Sequence, residues 1–207
     1  MANEQIILDA FQSQVYVENR MDVQHTPLYD TVTWNAGDTV TELTGQWFTN
    51  VGPSSSKTKA QTNMTQSRRL PAPEAFSVFG IRVFWSPNVL LADLLNVMNN
   101  FALEFYLGQK SYQLAPLWYF TAGAGIDGLA ATSTTVTATT NTITAYSNGS
   151  PTRESMHKLA LPIVIENQMT FWAQLVGTST TLTASGSGGN GLRLTILLDG
   201  FYARGVQ

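Results

Sequence analysis

The chain contains no cysteine. This absence excludes a disulfide framework, a cysteine-ligated zinc or iron–sulfur site and a thiol nucleophile. Charge is also scarce, since only 12% of the residues are charged, about half the usual share for a globular domain. The net charge of −3 argues against a nucleic-acid binder, which needs a basic face to displace counterions from phosphates. Sequence-specific nucleic-acid binding is therefore not expected.

Long apolar runs and targeting signals are missing as well. No stretch reaches the roughly 18 apolar residues that a membrane-spanning helix needs. The N-terminus, "MANEQIILDAFQSQ", has no basic region ahead of an apolar one, so no secretory signal is expected. A P-loop, a G-x-S-x-G elbow and a repeat of about 20 to 50 residues are absent too, which weighs against the corresponding enzymes and against propellers and solenoids.

The residues that are present favour β-structure. Hydrophobic residues make up 43% of the 207 positions, enough for a core, and serine and threonine fill about a fifth. Roughly eight to ten strand-like segments recur at intervals of about 10 to 15 residues, and one helix, "PNVLLADLLNVMNN", interrupts them. This pattern predicts an all-β, antiparallel β-sandwich. A hydroxyl-rich surface suits extensive protein contact, because hydroxyls are cheaper to desolvate than ions, but threonine-rich strands are also ordinary in β proteins.

Two segments stand out as candidate contact elements. Residues 3–13 predict a short amphipathic helix with Ile6, Ile7 and Phe11 on one face, which makes residues 1–24 an N-terminal arm ahead of a single sandwich domain at 25–207. The arm either reaches a neighbour or packs on its own domain.

The second segment is the long polar loop at 50–73. It carries the most basic cluster of the chain, with no acid before Glu74. A loop this long is unusual inside a compact domain, so we expect a mobile or partner-ordered excursion that contacts an acidic partner, nucleic acid or an anionic membrane. The alternative is a solvated loop. The basic residues are Lys57, Lys59, Arg68 and Arg69.

The stretch "GAGIDG" spells the dinucleotide-binding fingerprint. That motif needs a strand before the glycines and a helix after them, because the helix N-terminus binds the pyrophosphate. Here the following residues, "LAATSTTVTATTNTITA", are poor helix formers. We therefore expect Gly123, Gly125 and Gly128 to form a tight irregular turn between strands, and we expect no cofactor.

No catalytic constellation emerges. His25 has Asp22 and Asp30 near it in sequence, and His157 adjoins Lys158, which discourages a metal. The paired carboxylates of a sandwich glycosidase would have to come from three acids that are each isolated in sequence. These acids are Glu104, Glu166 and Asp199. The protein is therefore not expected to be an enzyme.

The five tryptophans offer a competing, carbohydrate-binding function. Trp34 and Trp47 flank a hairpin-like turn, "NAGD", and are the better candidates for a surface role, in which they could stack on a sugar. Trp85, Trp118 and Trp172 lie in apolar strands and are predicted to be core residues.

The apolar strand segments also carry a family resemblance. They are "FGIRVFW", "FALEFYLGQKSYQLAPLWYFTAGAGI", "LALPIVIENQMTFWAQL" and "LRLTILLDGFYARGV". With the arm, the inserted helix and the polar loop, the chain resembles viral jelly-roll capsid proteins, most closely the single-jelly-roll coat proteins of tailless icosahedral phages with an internal membrane.

The resemblance implies a virion structural protein, made in the host cytoplasm, that self-assembles into an icosahedral shell. Its implied partners are itself, other capsid proteins and, through residues 57–69, an internal membrane or other anionic surface. A glycine-rich loop near Gly188 is a third candidate contact. A receptor-binding spike is the alternative within the virion class.

Overall fold

The computed structural model describes residues 21–53, 55–86, 89–121, 124–130, 144–149 and 158–205. Within them the chain is mostly antiparallel β-strand with one α-helix, so the predicted all-β class is confirmed. The predicted arm helix, with Ile6, Ile7 and Phe11, lies outside the described residues, as do Gly123 and His157.

The secondary-structure elements are numbered in chain order. They are β1 Met21–His25, β2 Leu28–Trp34, β3 Thr39–Val40, β4 Gln46–Trp47, β5 Ala75–Trp85, α1 Leu91–Asn100, β6 Phe101–Leu107, β7 Lys110–Pro116, β8 Ala124–Ala130, β9 Thr144–Gly149, β10 Lys158–Ile165, β11 Phe171–Gly177, β12 Thr180–Thr181 and β13 Leu192–Gly205.

The last strand, β13, organises the first sheet. Its 14 residues pair with β5 along one edge. Along the other edge, the first half of β13 pairs with β2 and the last five residues pair with β1. Strand β10 pairs with the far side of β5, which gives the order β1/β2–β13–β5–β10. The first strand begins at Met21, so the end of the predicted arm belongs to this sheet.

The second sheet has the order β4–β11–β6–β7. Strands β6 and β11 pair along their full length, from Phe101 opposite Gly177 to Leu107 opposite Phe171. Both strands alternate buried and half-buried residues, the pattern of a sheet with one face on the core. Gly108, with φ of 62°, turns the chain from β6 into β7, which confirms the predicted pair of strands around "GQK".

The two sheets enclose one hydrophobic core, and tryptophans join them. The Trp34 ring of the first sheet meets the Trp47 ring of the second edge-on, with centroids 6.1 Å apart. Trp47 Nε1 donates to the carbonyl of Leu194, 3.2 Å away in β13. Trp34 is 3% exposed and Trp47 0%, so the predicted surface role of both is wrong. The reason is that "NAGD" closes no hairpin: β2 pairs with β13, and β3 pairs with β12.

Two other tryptophans also depart from the prediction. Trp118 is 58% exposed, because a 3-10 turn at Leu117–Phe120 buries Leu117 and Phe120 and directs Trp118 outward. Trp172 is half-buried on the outer face of the second sheet, while Trp85 lies in the core as predicted.

The predicted helix is confirmed as α1, between β5 and β6. Its buried face carries Leu94, Val97 and Met98. The carboxylate of Asp93 in its first turn accepts hydrogen bonds from the Thr183 N–H at 3.1 Å and hydroxyl at 2.8 Å, which fixes the helix to the loop after β12. Within the part of the chain that the structure describes, no helix is long and apolar enough to cross a membrane.

The glycine fingerprint lies in a strand. Gly125 and Gly128 belong to β8, which pairs with β9, so the predicted tight turn is wrong at these two positions. The register shifts between Ala124 and Asp127, as at a β-bulge, a common site for glycine in strands. A strand across the motif provides no helix N-terminus for a pyrophosphate.

Candidate functional surfaces

The long polar loop between β4 and β5 is attached to its own chain. Its apolar residues Val51, Met64 and Leu70 are buried in the core. Asn63 also bonds β2, accepting from the Tyr29 N–H at 2.9 Å through its side chain. The expectation that this loop needs a partner to become ordered is therefore corrected.

A buried ion pair fixes the same loop more tightly. Lys57 Nζ lies 2.8 and 2.9 Å from the two carboxylate oxygens of Asp30, whose side chain is fully buried in β2. The Phe48 N–H donates to the same carboxylate at 2.7 Å. Burial raises the pKa of Asp30, and the hydrogen bond and charge of Lys57 oppose that rise. Lys57 is thus satisfied within the chain, which corrects its predicted role as a contact for a partner.

The other three basic residues of the loop are exposed. Arg69 Nη1 donates to Gln168 Oε1 at 3.4 Å, while Lys59 and Arg68 also face solvent. The Arg68 guanidinium lies over the Trp172 ring, 5.2 Å from its centroid. Trp172 stacks in turn on Tyr106, with ring centroids 4.7 Å apart and planes 9° from parallel. These contacts hold one exposed cation beside an aromatic pair.

One of the three candidate acids, Glu104, takes part in a hydrogen-bond network on the outer face of the second sheet. The Tyr106 hydroxyl donates to Glu104 and accepts from Gln174 Nε2 at 3.3 Å. The hydrogen bond to Glu104 raises the pKa of Tyr106. Glu104 is therefore part of a polar network on the sheet surface.

The remaining candidate acids lie elsewhere. Asp199 accepts two hydrogen bonds from Arg82, at 2.5 and 2.7 Å, across the first sheet. Glu166 is exposed in the turn after β10. Neither the geometry nor the hydrogen bonds pair these acids across a cleft, as glycoside hydrolysis requires.

The environment of His25 is aromatic. Its ring lies 5.6 Å from that of Phe79 and 5.3 Å from that of Phe201, centroid to centroid. The two acids near it in sequence have other partners, Asp22 with Arg204 and Asp30 with Lys57. In the described ranges, no group of three or more histidine or acidic side chains could hold a metal ion.

The loop near Gly188 closes on itself. Residues Ser185–Ser187 form a short 3-10 turn, and Gly188, with φ of 85°, donates its N–H to the Ser185 carbonyl at 3.0 Å. Most of its residues are exposed, so it stays a candidate contact.

Four apolar side chains are exposed on β7 and in the 3-10 turn that follows it, and the sequence did not reveal them. Leu114 is 58% exposed on this strand, and Tyr112, Trp118 and Tyr119 are exposed beside it in sequence. We call these four residues the β7 patch. Four large apolar side chains exposed within eight positions are typical of a binding surface. Aromatic residues are also enriched at the energetic centres of protein interfaces.

Comparisons of this chain with protein-family models, curated proteins and solved structures found no match.

Proposed function

We propose that this chain is a virion structural protein, a jelly-roll coat subunit that self-assembles into an icosahedral shell. The strand order carries the proposal. Eight strand positions remain when β1 and β2 count as one and β3, β12 and the β8–β9 pair are set aside. Numbered along the chain, the first sheet then has the order 1-8-3-6 and the second 2-7-4-5. Two four-stranded antiparallel sheets, linked as two Greek keys, are the pattern of a jelly roll.

Jelly rolls serve as viral capsid subunits, lectins and cupins, so other features must choose among them. A cupin-type metal site has no support from the described side chains, as His25 lies among aromatic rings. The two tryptophans that the sequence offers for stacking on a sugar, Trp34 and Trp47, are buried. Trp172 is half-buried, with Tyr106 stacked on its ring and the Arg68 guanidinium over it. Exposed aromatic side chains lie instead in the β7 patch, which a lectin could also use, so the glycan test below is needed.

A shell subunit accounts for more of the surface. Its function is distributed over many modest contacts, which a closed symmetric lattice makes cooperative. The β7 patch supplies exposed apolar area, and the scarcity of charge lowers the cost of burying the rest. The proposed partners are further copies of this chain and other capsid proteins, with the virion as its location.

The exposed cations suit a second contact. Lys59, Arg68 and Arg69 belong to one loop, and we propose that this loop meets an anionic surface, such as an internal membrane. Basic side chains near an anionic bilayer contribute about 1 kcal/mol each.

Light scattering on the purified chain, over a range of protein and salt concentrations, tests the proposed function. A coat subunit is expected to form a closed oligomer or to grow into large particles. A glycan array run in parallel tests the carbohydrate-binding alternative. Glycan binding by a chain that stays monomeric throughout would contradict the proposal and favour a lectin or a receptor-binding spike.

A further inference from the structure

Strands β8 and β9 form a ribbon that lacks a third strand. They pair from Ala124 opposite Gly149 to Ala130 opposite Thr144, and neither pairs with any other strand that the structure describes. An isolated two-stranded ribbon is marginally stable in water, and a third strand or an apolar surface is needed to stabilise it. The ribbon therefore calls for a partner surface.

The composition of the ribbon segment fits a protein partner. The two strands contain a single charged residue, Asp127. Sheet edges without charge are templates for pairing with another chain, and natural proteins usually block them.

Of the five edge strands in the two main sheets, β1, β2, β4, β7 and β10, three are blocked: β2, β4 and β10. The polar loop covers β2, where the Asn63 N–H donates to the Tyr29 carbonyl at 3.4 Å. It also covers the end of β4, where the Arg68 N–H donates to the Phe48 carbonyl at 2.7 Å. Strand β10 contains Pro162 and shifts register against β5. Proline and irregular pairing both discourage the addition of a strand.

Strand β7 differs from these edges. In the described part of the chain it pairs with β6 alone, and its edge-blocking residues, Lys110 and Pro116, stand at its two ends. The five residues between them include Tyr112 and Leu114 of the β7 patch. The edge is thus open beside exposed apolar side chains.

We propose that the β7 edge and the β7 patch bind the β8–β9 ribbon of a second copy of this chain. The inference rests on the proposed function, because it names the contact that joins shell subunits. Donor and acceptor occur in the same chain, so each copy gives one ribbon and receives one. Their single charges are complementary, Asp127 on the ribbon and Lys110 on β7. Such head-to-tail contacts close into rings when the rotation between copies allows it.

The test uses one variant for each side of the contact and a matched control. Leu114→Lys places a charge in the acceptor patch, and Leu43→Lys places the same charge at an 84% exposed leucine outside it. Ala145→Pro removes an N–H from β9 in the donor ribbon. Sedimentation velocity measures assembly, and circular dichroism confirms that each variant is folded. We expect Leu114→Lys and Ala145→Pro each to weaken assembly about tenfold or more, and Leu43→Lys to assemble like the unchanged chain.

Mixing the variants gives a sharper result. A Leu114→Lys chain keeps its ribbon, and an Ala145→Pro chain keeps its β7 edge, so the mixture retains one intact contact and should form a complex of two chains. Neither variant alone should form such a complex. Hydrogen exchange at residues 111–115 should slow in that complex.

The outcomes separate this inference from the proposed function. If the unchanged chain assembles and Leu114→Lys behaves like Leu43→Lys, or if exchange at 111–115 is the same in monomer and assembly, the contact is wrong and the shell function stands. If the unchanged chain remains monomeric under every condition, both are wrong.

Discussion

Lys57 and Asp30, 27 residues apart in sequence, form an ion pair in which the lysine ammonium bonds both carboxylate oxygens. The carboxylate is fully buried, and the lysine side chain is 14% exposed. The pair fastens the polar loop to β2 and leaves Lys59, Arg68 and Arg69 as the exposed cations of that loop.

Removing one partner of this pair should destabilise the fold strongly. Lys57→Met leaves a buried carboxylate without its cation, and breaking a buried pair in this way costs about 3–5 kcal/mol. Lys59→Met, in the same loop but exposed, should change the free energy of unfolding by less than about 0.5 kcal/mol. Urea unfolding of both variants measures the difference, and equal stabilities would show that the pair contributes nothing.

The same pair predicts a pH dependence. Burial raises the pKa of Asp30, so the folded state binds this proton more readily than the unfolded state does. The contribution of Asp30 to stability is therefore greatest below the unfolded pKa and falls as the pH rises through the folded pKa. Without Lys57 the pKa rises further, so in Lys57→Met the loss of stability with rising pH should continue to a higher pH than in the unchanged chain.

The free energy of unfolding of Lys57→Met and of the unchanged chain, measured as a function of pH, checks this prediction. The double variant Asp30→Asn with Lys57→Met is the control, because it has no group to titrate at this position and should lack the additional loss. A Lys57→Met curve parallel to that of the unchanged chain would contradict the assignment to Asp30.

The two kinds of tryptophan should respond in opposite ways. Trp47→Ala opens a cavity between the sheets and removes the hydrogen bond to Leu194, so it should cost about 3–5 kcal/mol in unfolding free energy. Trp118→Ala should leave stability nearly unchanged and weaken self-association, because this side chain is exposed in the β7 patch. Thermal unfolding and sedimentation of both variants test this, and a Trp118→Ala chain that assembles normally would exclude Trp118 from the contact.

The exposed cations should control binding to anionic vesicles. Arg68→Ala and Arg69→Ala should each weaken binding to phosphatidylserine-containing vesicles about fivefold, an effect that salt should screen. Arg204→Ala is a matched control, since this arginine is about half-exposed, pairs with Asp22 and lies outside the loop. Co-sedimentation measures the binding. Equal loss in all three variants would show that only net charge matters.

Local pattern was enough to predict strands β6 and β11 and the helix, whereas β8 formed where a turn was expected. The alternation along β6 and β11 and the helical spacing of Leu94, Val97 and Met98 are visible in the sequence, and each element formed where it was expected. Pairing was not predictable in the same way. The turn "NAGD" suggested a hairpin, yet the hydrogen bonds of β2 go to β13 at the far end of the chain, and that placement buries Trp34.

The residues of the candidate contact surfaces were harder to predict from the sequence than the strand pairing. Lys57 was grouped with its loop by sequence charge, whereas its partner Asp30 belongs to a different strand. Trp118 follows an apolar strand and was expected in the core, but a 3-10 turn rotates it outward while Leu117 and Phe120 face inward. Both outcomes depend on tertiary packing, which no local window of sequence contains.

Electron microscopy of the concentrated protein, after assembly has been followed by light scattering, tests the shell function most directly. The account predicts closed particles of uniform diameter, or flat and curved lattices built from one repeating capsomer. Particles should disappear in Leu114→Lys and persist in Leu43→Lys. Fields of monomers, or irregular aggregates without a repeating unit under every condition, would contradict it.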